Sequence, residues 1–314
     1  MKILVTDGIE KEALEKLKSS YQVDVIEVSP DELMEKVSEY DALIVRGRTK
    51  VTAKVIEKGR NLKVIGRAGI GVDNIDVIEA TKNKIAVVNA PTGSTISVAE
   101  LAIGHMLSLA RRLPQADKSI KNNKWEKKKF MGVELYGKTL GLLGSGRIGA
   151  EVAKRAQAFG MITIAYDPYL PLAIAEKNNI ELVEKERLYS EADFLSVHAA
   201  LTSETKGMVG SKEIALMKKT AFIVNCARGE IIQESALAEA LKSGIIAGAA
   251  LDVFEKEPPT DSPLLNLDNV SFTPHIGAST QEAQYRAGMM IVEQVDKVLQ
   301  GSKPDFIVNR EIYG

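Results

Sequence analysis

Short apolar runs alternate with longer amphipathic stretches along almost the whole chain, and this alternation restricts the fold more than any other feature. Strands are expected at 2–6, 23–28, 42–45, 63–66 and 86–88, with helical patterns between them, as at 10–19 and 31–39. Strand, helix, strand in regular order requires right-handed crossovers and therefore a parallel sheet. The rhythm pauses at 91–113. There Ser97 and Glu100 have the spacing of a capping box, and Ile96 and Leu101 that of a hydrophobic staple. A helix apolar on most sides is expected over 98–113, ended by Pro114. Residues 114–138 read as irregular and polar.

The alternation restarts at 139–143 and continues through 162–166, 180–183, 193–197, 220–224, 246–251 and 269–273. This second block is already a complete set of strands. The closing helix, about 280–300, and a short strand at Phe306–Val308 therefore belong back with the first block. The expected architecture is α/β, with two doubly wound parallel-sheet domains. A dinucleotide-binding Rossmann domain (96–282) is inserted into a discontinuous flavodoxin-like substrate domain (1–95 and 283–314). A length of 314 residues suits two domains.

Composition excludes several classes. Apolar residues make up 45% and charged residues 26%, which does not describe a disordered or fibrous chain. Lys+Arg number 41 against Asp+Glu 42, so neither nucleic acid nor a membrane surface is an expected partner. Cys226 is the only cysteine; no internal disulfide and no cysteine-rich metal site can form, and no metal is expected. Met1 leads straight into a strand, without a signal segment. The expectation is a soluble cytoplasmic protein.

Gly144-Ser145-Gly146-Arg147-Ile148-Gly149 fits G-x-G-x-x-G between a strand and a helix. Gly144 permits the tight turn, Gly146 lets backbone approach a pyrophosphate, and Gly149 lets the helix pack on the strand. The helix that follows presents Ile148, Val152, Ala156 and Phe159 on one face and closes at Gly160. The next strand ends at Asp167, about 20 residues on, where an acid accepts ribose hydroxyls and repels a 2′-phosphate. NAD is the cofactor this pattern implies. Three polar residues follow later strands: Arg228, Glu257 and His275. Carboxyl ends of parallel strands are where such sheets bind ligands. A guanidinium offers a planar fork to a carboxylate, a histidine can take an alcohol proton, and a glutamate stabilises the imidazolium. Taken singly, the three read as a surface arginine, a loop acid and a capping histidine.

Together with Gly66–Asn74, Asn225–Gly229, Leu251–Pro259 and Pro274–Thr280, these residues make the chain resemble the D-isomer-specific 2-hydroxyacid dehydrogenase family. The resemblance runs through nearly the whole chain in family order. It implies catalytic roles for Arg228, Glu257 and His275. It implies cofactor contacts at Arg147, Ile148, Asp167, Ile70, Ala199, Cys226, Ala227, Asp252, Gly277 and Ala278, several of them through backbone. It also implies substrate contacts at Arg46, Arg67, Gly69 and Ser94, where many members have asparagine at the position of Ser94. Arg46, Arg48 and Arg67 all follow strands and suit a 2-hydroxy acid that carries a phosphate as well as a carboxylate. Alternatives are a reductase of an unphosphorylated 2-oxo acid and an NADH-sensing corepressor. Larger members carry a C-terminal ACT-type regulatory domain, which is not expected here. The apolar helix and the basic segment after it, with Trp125 and Lys127, are expected to form a homodimer interface. His105 and His198 read as structural.

Overall fold

The computed structural model describes residues 1–313. The chain divides into two compact units, one built from Met1–Thr95 and the segment from Ala278 onward, the other from Ile96–Gly277. The return to the first unit comes at Ala278 rather than at 283. The reason is local: Thr280 caps the long helix Gln281–Leu299, accepting from Ala283 N, and Ala283 is buried in that helix's first turn.

The first unit holds five parallel strands: β1 (Lys2–Val5), β2 (Gln22–Val25), β3 (Ala42–Val45), β4 (Val64–Arg67) and β5 (Ala86–Asn89). Their order, β2-β1-β3-β4-β5, is the flavodoxin-like one. Helices cover both faces, so β3 is apolar throughout and β1, β4 and β5 are apolar but for one end residue, while β2, at the sheet edge, alternates Gln22, Val23, Asp24 and Val25. Ile3, Val5, Ala42 and Ile44 pack into one core; Leu4, Leu43 and Val45 pack into the other. The helix Gln281–Leu299 buries Ile291, Val292, Val295 and Leu299 on the first of these cores. It lies close enough on β4 that a methyl group at Gly66 would stand 2.8 Å from Val295.

The expected strand at Phe306–Val308 is reduced to one antiparallel bridge, Val88 to Ile307. Beside it Asn309 does a strand's work with its side chain. Its Oδ1 accepts from Val87 N at 2.8 Å and its Nδ2 donates to Ile85 O at 2.9 Å.

The second unit holds seven parallel strands: β6 (Thr139–Leu143), β7 (Ile162–Tyr166), β8 (Glu181–Leu182), β9 (Phe194–Val197), β10 (Phe222–Asn225), β11 (Gly248–Leu251) and β12 (Val270–Phe272). Their order is β12-β11-β10-β9-β6-β7-β8. The direction of winding reverses between β6 and β9, the Rossmann switch point. Leu195, Val197 and Ile223 feed one core; Phe194, Val224 and Leu140 feed the other.

Three expectations in this unit are corrected. The apolar helix spans Thr95–Arg111, so Ser97 and Glu100 lie inside its first turns and are not its cap. A second helix, Leu113–Lys121, follows at once. Arg112, at φ +52°, turns the chain between them, and Pro114 is in the opening turn of the new helix, where proline is tolerated. Phe159 is 43% exposed; the buried face of the helix Arg147–Ala158 is Gly149, Val152, Ala153 and Ala156. Among the described residues no helix is long and apolar enough to cross a membrane.

Candidate active site

The second unit brings two loop systems to the carboxyl end of its sheet. The first leaves β6. Gly144 has φ +85°, and a methyl there would lie 2.7 Å from Ala199 N, just beyond β9. A methyl on Gly149 would lie 2.6 Å from Gly144 O, while one on Gly146 meets nothing within 4 Å. Two of the glycines are thus required by packing, and the third faces open space at the start of the helix Arg147–Ala158. Arg147 is exposed and Ile148 half-buried there. Ser145 is buried with its Oγ unpartnered, and its amide donates to Asp167 Oδ2 at 2.8 Å. Asp167 Oδ1 accepts from Tyr169 N at 3.0 Å. An open helix N-terminus, a bare glycine, an orphaned hydroxyl and a half-exposed carboxylate fit a dinucleotide.

The second system joins the loops after β10, β11 and β12. Asn225 is buried at the end of β10. Its side chain donates to Arg228 O at 2.9 Å and accepts from Ala227 N at 3.0 Å, which folds the loop that carries Arg228. A methyl on Gly229 would sit 1.9 Å from Phe254 C, so only glycine lets this loop pass against the one carrying Glu257. That second loop is braced by Glu234, whose Oε1 accepts from Glu255 N at 2.7 Å.

His275 Nδ1 lies 2.8 Å from Glu257 Oε2, and both side chains are part-exposed. Partial burial alone would raise the Glu257 carboxyl. The hydrogen bond with His275, the His275 charge, the Phe254 amide and the Arg228 charge outweigh that and hold it below the usual carboxylate range. An ionised Glu257 accepts Nδ1–H and leaves Nε2 as the basic ring nitrogen. Asp252, buried, receives Ile276 N and Gly277 N at 2.8 Å each. Cys226 is buried, and burial pushes its thiol up, away from thiolate chemistry. His198, next to Ala199, shares Nε2 with Ser196 Oγ at 2.7 Å, and burial pushes the ring down to about 4.

The remaining candidates belong to the first unit. Arg46 and Arg67 follow β3 and β4, and Arg67 Nη1 donates to Ala68 O at 3.3 Å. Gly69 O receives Ala90 N, and Ile70 O receives Asn89 Nδ2. Ser94 is buried, and Ala278 O accepts from Gln284 Nε2 at 3.0 Å. The loop of Arg46 is organised by a residue that the sequence did not single out. Asp7, whose side chain is buried after β1, accepts Arg46 N at 2.7 Å and Thr49 N at 3.1 Å. Asn74 donates to Arg46 O and Thr49 O from the other side. The Arg46 guanidinium is half-buried, and burial lowers its pKa against the pull of Asp7. It makes no hydrogen bond or ion pair with the described residues. Asp7, Asn225 and Gly229 all act on partners reached only through folding, or on backbone, so spacing alone carried little signal for them.

A glycine loop that fits a dinucleotide and a histidine–carboxylate pair thus stand at the carboxyl end of one Rossmann sheet. Residues 103–277 match the family described as D-isomer specific 2-hydroxyacid dehydrogenase, NAD binding domain. The chain is 56% identical to D-3-phosphoglycerate dehydrogenase of Methanocaldococcus jannaschii over 98% of its own length and 59% of that protein's. It is 51% identical to hydroxypyruvate reductase of Thermotoga maritima over 95% of this chain and 98% of that one. The crystal structure of D-lactate dehydrogenase from Aquifex aeolicus, complexed with NAD and lactic acid, superposes with a TM-score of 0.86 at 28% identity over 96% of each chain. The chain therefore belongs to the D-isomer specific 2-hydroxyacid dehydrogenase family and carries its NAD-binding domain. It spans between half and two thirds of the length of the phosphoglycerate dehydrogenases it matches, 59% in the Methanocaldococcus case.

Proposed function

We propose that the protein oxidises D-3-phosphoglycerate to 3-phosphohydroxypyruvate, the first step of serine synthesis. The observation that carries the chemistry is the 2.8 Å contact between His275 Nδ1 and Glu257 Oε2. When bound at the glycine loop, NAD supplies the hydride acceptor. His275 Nε2 takes the substrate hydroxyl proton as the carbonyl forms, and Glu257 stabilises the imidazolium that results. Arg228 clamps the substrate carboxylate and orients C2. Asp167 accepts the ribose hydroxyls, while Arg147, Ile148, Ile70, Ala199, Cys226, Ala227, Asp252, Gly277 and Ala278 contact the rest of the cofactor.

The phosphate is the part of this reading carried by Arg46. A half-buried cation without a protein partner suits an anionic ligand group, with Arg67, Gly69 and Ser94 completing the substrate contacts. The full-length match to a hydroxypyruvate reductase favours a second reading, reduction of an unphosphorylated 2-oxo acid. Saturation kinetics followed by NADH absorbance decide between them. The first reading predicts a lower KM for the phosphorylated substrate, and a loss of that advantage in Arg46→Ala. Equal kcat/KM with and without phosphate overturns it.

The assembly we propose is a homodimer. Trp125, Met131 and Tyr136 are 85%, 82% and 76% exposed on one stretch of chain, and a second copy is the cover that suits them. Light scattering at micromolar concentration tests this, and a monomer rules it out. A reducing cytoplasm suits the single cysteine, Cys226.

A further inference from the structure

Asp252, just past β11, gathers a whole turn around itself. Its Oδ1 accepts Thr273 Oγ1 at 2.6 Å and Ile276 N at 2.8 Å, and its Oδ2 accepts Gly277 N at 2.8 Å. Its main-chain carbonyl accepts His275 N at 2.9 Å. Within this turn His275 has φ +52°, a left-handed backbone that costs a non-glycine residue energy and persists only where its surroundings impose it.

Behind Thr273 lies His105, buried on the helix Thr95–Arg111, with Nε2 3.1 Å from Thr273 Oγ1. A threonine hydroxyl has one proton, and the short contact with the Asp252 carboxylate uses it. The Thr273 oxygen must therefore accept from His105, so His105 Nε2 carries a hydrogen. Burial pulls the His105 ring below the ordinary histidine range, against the raising influence of Asp252. The ring is neutral at pH 7, as the Nε2–H tautomer.

We propose that His105 and Thr273 are positioning residues for the reaction: the chain from His105 through Thr273 to Asp252 locks the left-handed turn that presents His275. This rests on the reading of His275 as the base. A hydroxyl pinned from both sides cannot rotate, so Asp252 is held where it can bind both turn amides. Neither His105 nor Thr273 is asked to touch substrate. Three groups set the electrostatics around the His275 turn: Glu257 on the ring, Arg228 beyond Glu257, and Asp252 beneath the backbone.

The test compares Thr273→Val with Thr273→Ser, and His105→Phe with His105→Gln, each checked for NAD binding and thermal unfolding. Thr273→Val is expected to lower kcat on the order of 10²-fold, the cost of a misplaced catalytic group, with KM for the hydroxy acid nearly unchanged. Thr273→Ser, which keeps the hydroxyl, should restore most of kcat. His105→Gln, which keeps an N–H donor, should exceed His105→Phe. Wild-type kcat in Thr273→Val, or a loss that serine fails to restore, overturns the proposal. If Thr273→Val does not fold, the His105 pair decides on the same terms.

A second readout needs no turnover, so it separates failure here from failure of the dehydrogenase reading. Nitrogen-15 NMR should report neutral Nε2–H for His105 at pH 7 to 8. Amide exchange at Ile276 and Gly277 should quicken in Thr273→Val, or in His105→Phe relative to His105→Gln. A neutral Nδ1–H ring, with no hydrogen on Nε2, or unchanged exchange, overturns the relay. A wild type inactive on a panel of 2-hydroxy acids, with the NMR result as expected, overturns only the reading of function.

Discussion

The glycine loop after β6 and the turn after β12 stand at the carboxyl end of one sheet, yet they are built by opposite means. The first works by subtraction. Gly144 and Gly149 are bare because a methyl would strike Ala199 N and Gly144 O, and what remains is open backbone at a helix start. The second works by addition. A buried carboxylate, a hydroxyl and a buried ring hold His275 in a backbone conformation that it would not choose alone, and Glu257 then fixes the ring. The first site should fail when an atom is added, whatever its polarity. The second should fail when a donor or charge is removed, even at constant volume.

The largest effect that would sharpen this contrast is at the base. His275→Ala should lower kcat by about 10²–10⁴-fold while NAD binding stays intact. Steady-state rates across pH check it; near wild-type kcat with the wild-type pH profile means the base is elsewhere. Next comes the glycine loop. Gly149→Ala puts a methyl 2.6 Å from Gly144 O, and overpacking of that kind costs about 1–3 kcal/mol. NAD affinity measured by calorimetry should therefore weaken by roughly 10–10²-fold, since 1.4 kcal/mol is a factor of ten. Unaltered affinity would break the subtraction argument. Asp167→Ser adds no bulk and removes the charge together with the carboxylate that receives Ser145 N and Tyr169 N. It should reduce NAD preference over NADP by about tenfold, the lower range for a hydrogen bond to a charged group. A wild type equally content with NADP would remove Asp167 from the cofactor site.

The same contrast explains what could be read in advance. The inner strands were legible because parallel strands covered on both faces are continuous apolar runs, as in Ala42–Val45 and Phe194–Val197. The glycine loop was legible because packing by subtraction leaves a spaced signature in one stretch of chain. Glu257 and His275 could be named from their places after strands, but the 2.8 Å contact between them spans 18 residues and needed the sheet. What supports them was not legible. Asp7 acts on Arg46 N across 39 residues, and His105 reaches Thr273 across 168, so His105 read as a structural histidine. The helix Leu113–Lys121 was missed because Pro114 signals a stop and a start equally; the left-handed Arg112 decides it. Phe159 fitted the helical spacing yet lies past the helix end, as its C-cap, where periodicity no longer applies.

The smallest effect concerns stability and tests whether buried rings on this sheet are neutral. Burial pushes His198 down to about 4 from an ordinary value of 6.5. Below pH 6.5 the unfolded chain binds a proton here that the folded chain refuses, so the unfolded state gains protons and stability falls as pH drops. The loss grows through the window from 6.5 to about 4 and stops below it, where both states are protonated. At pH 5.5, one unit into that window, the cost is about 1.4 kcal/mol. Burial of His105 acts with the same sign. Glu257 adds to it only at lower pH, because a depressed carboxyl contributes stability above its unfolded value and loses it as pH falls through the folded one. Urea unfolding at pH 7.5 and 5.5 should thus show a smaller drop in His198→Gln than in the wild type, since glutamine does not titrate. An equal drop in both would mean that His198 takes up its proton in the folded state.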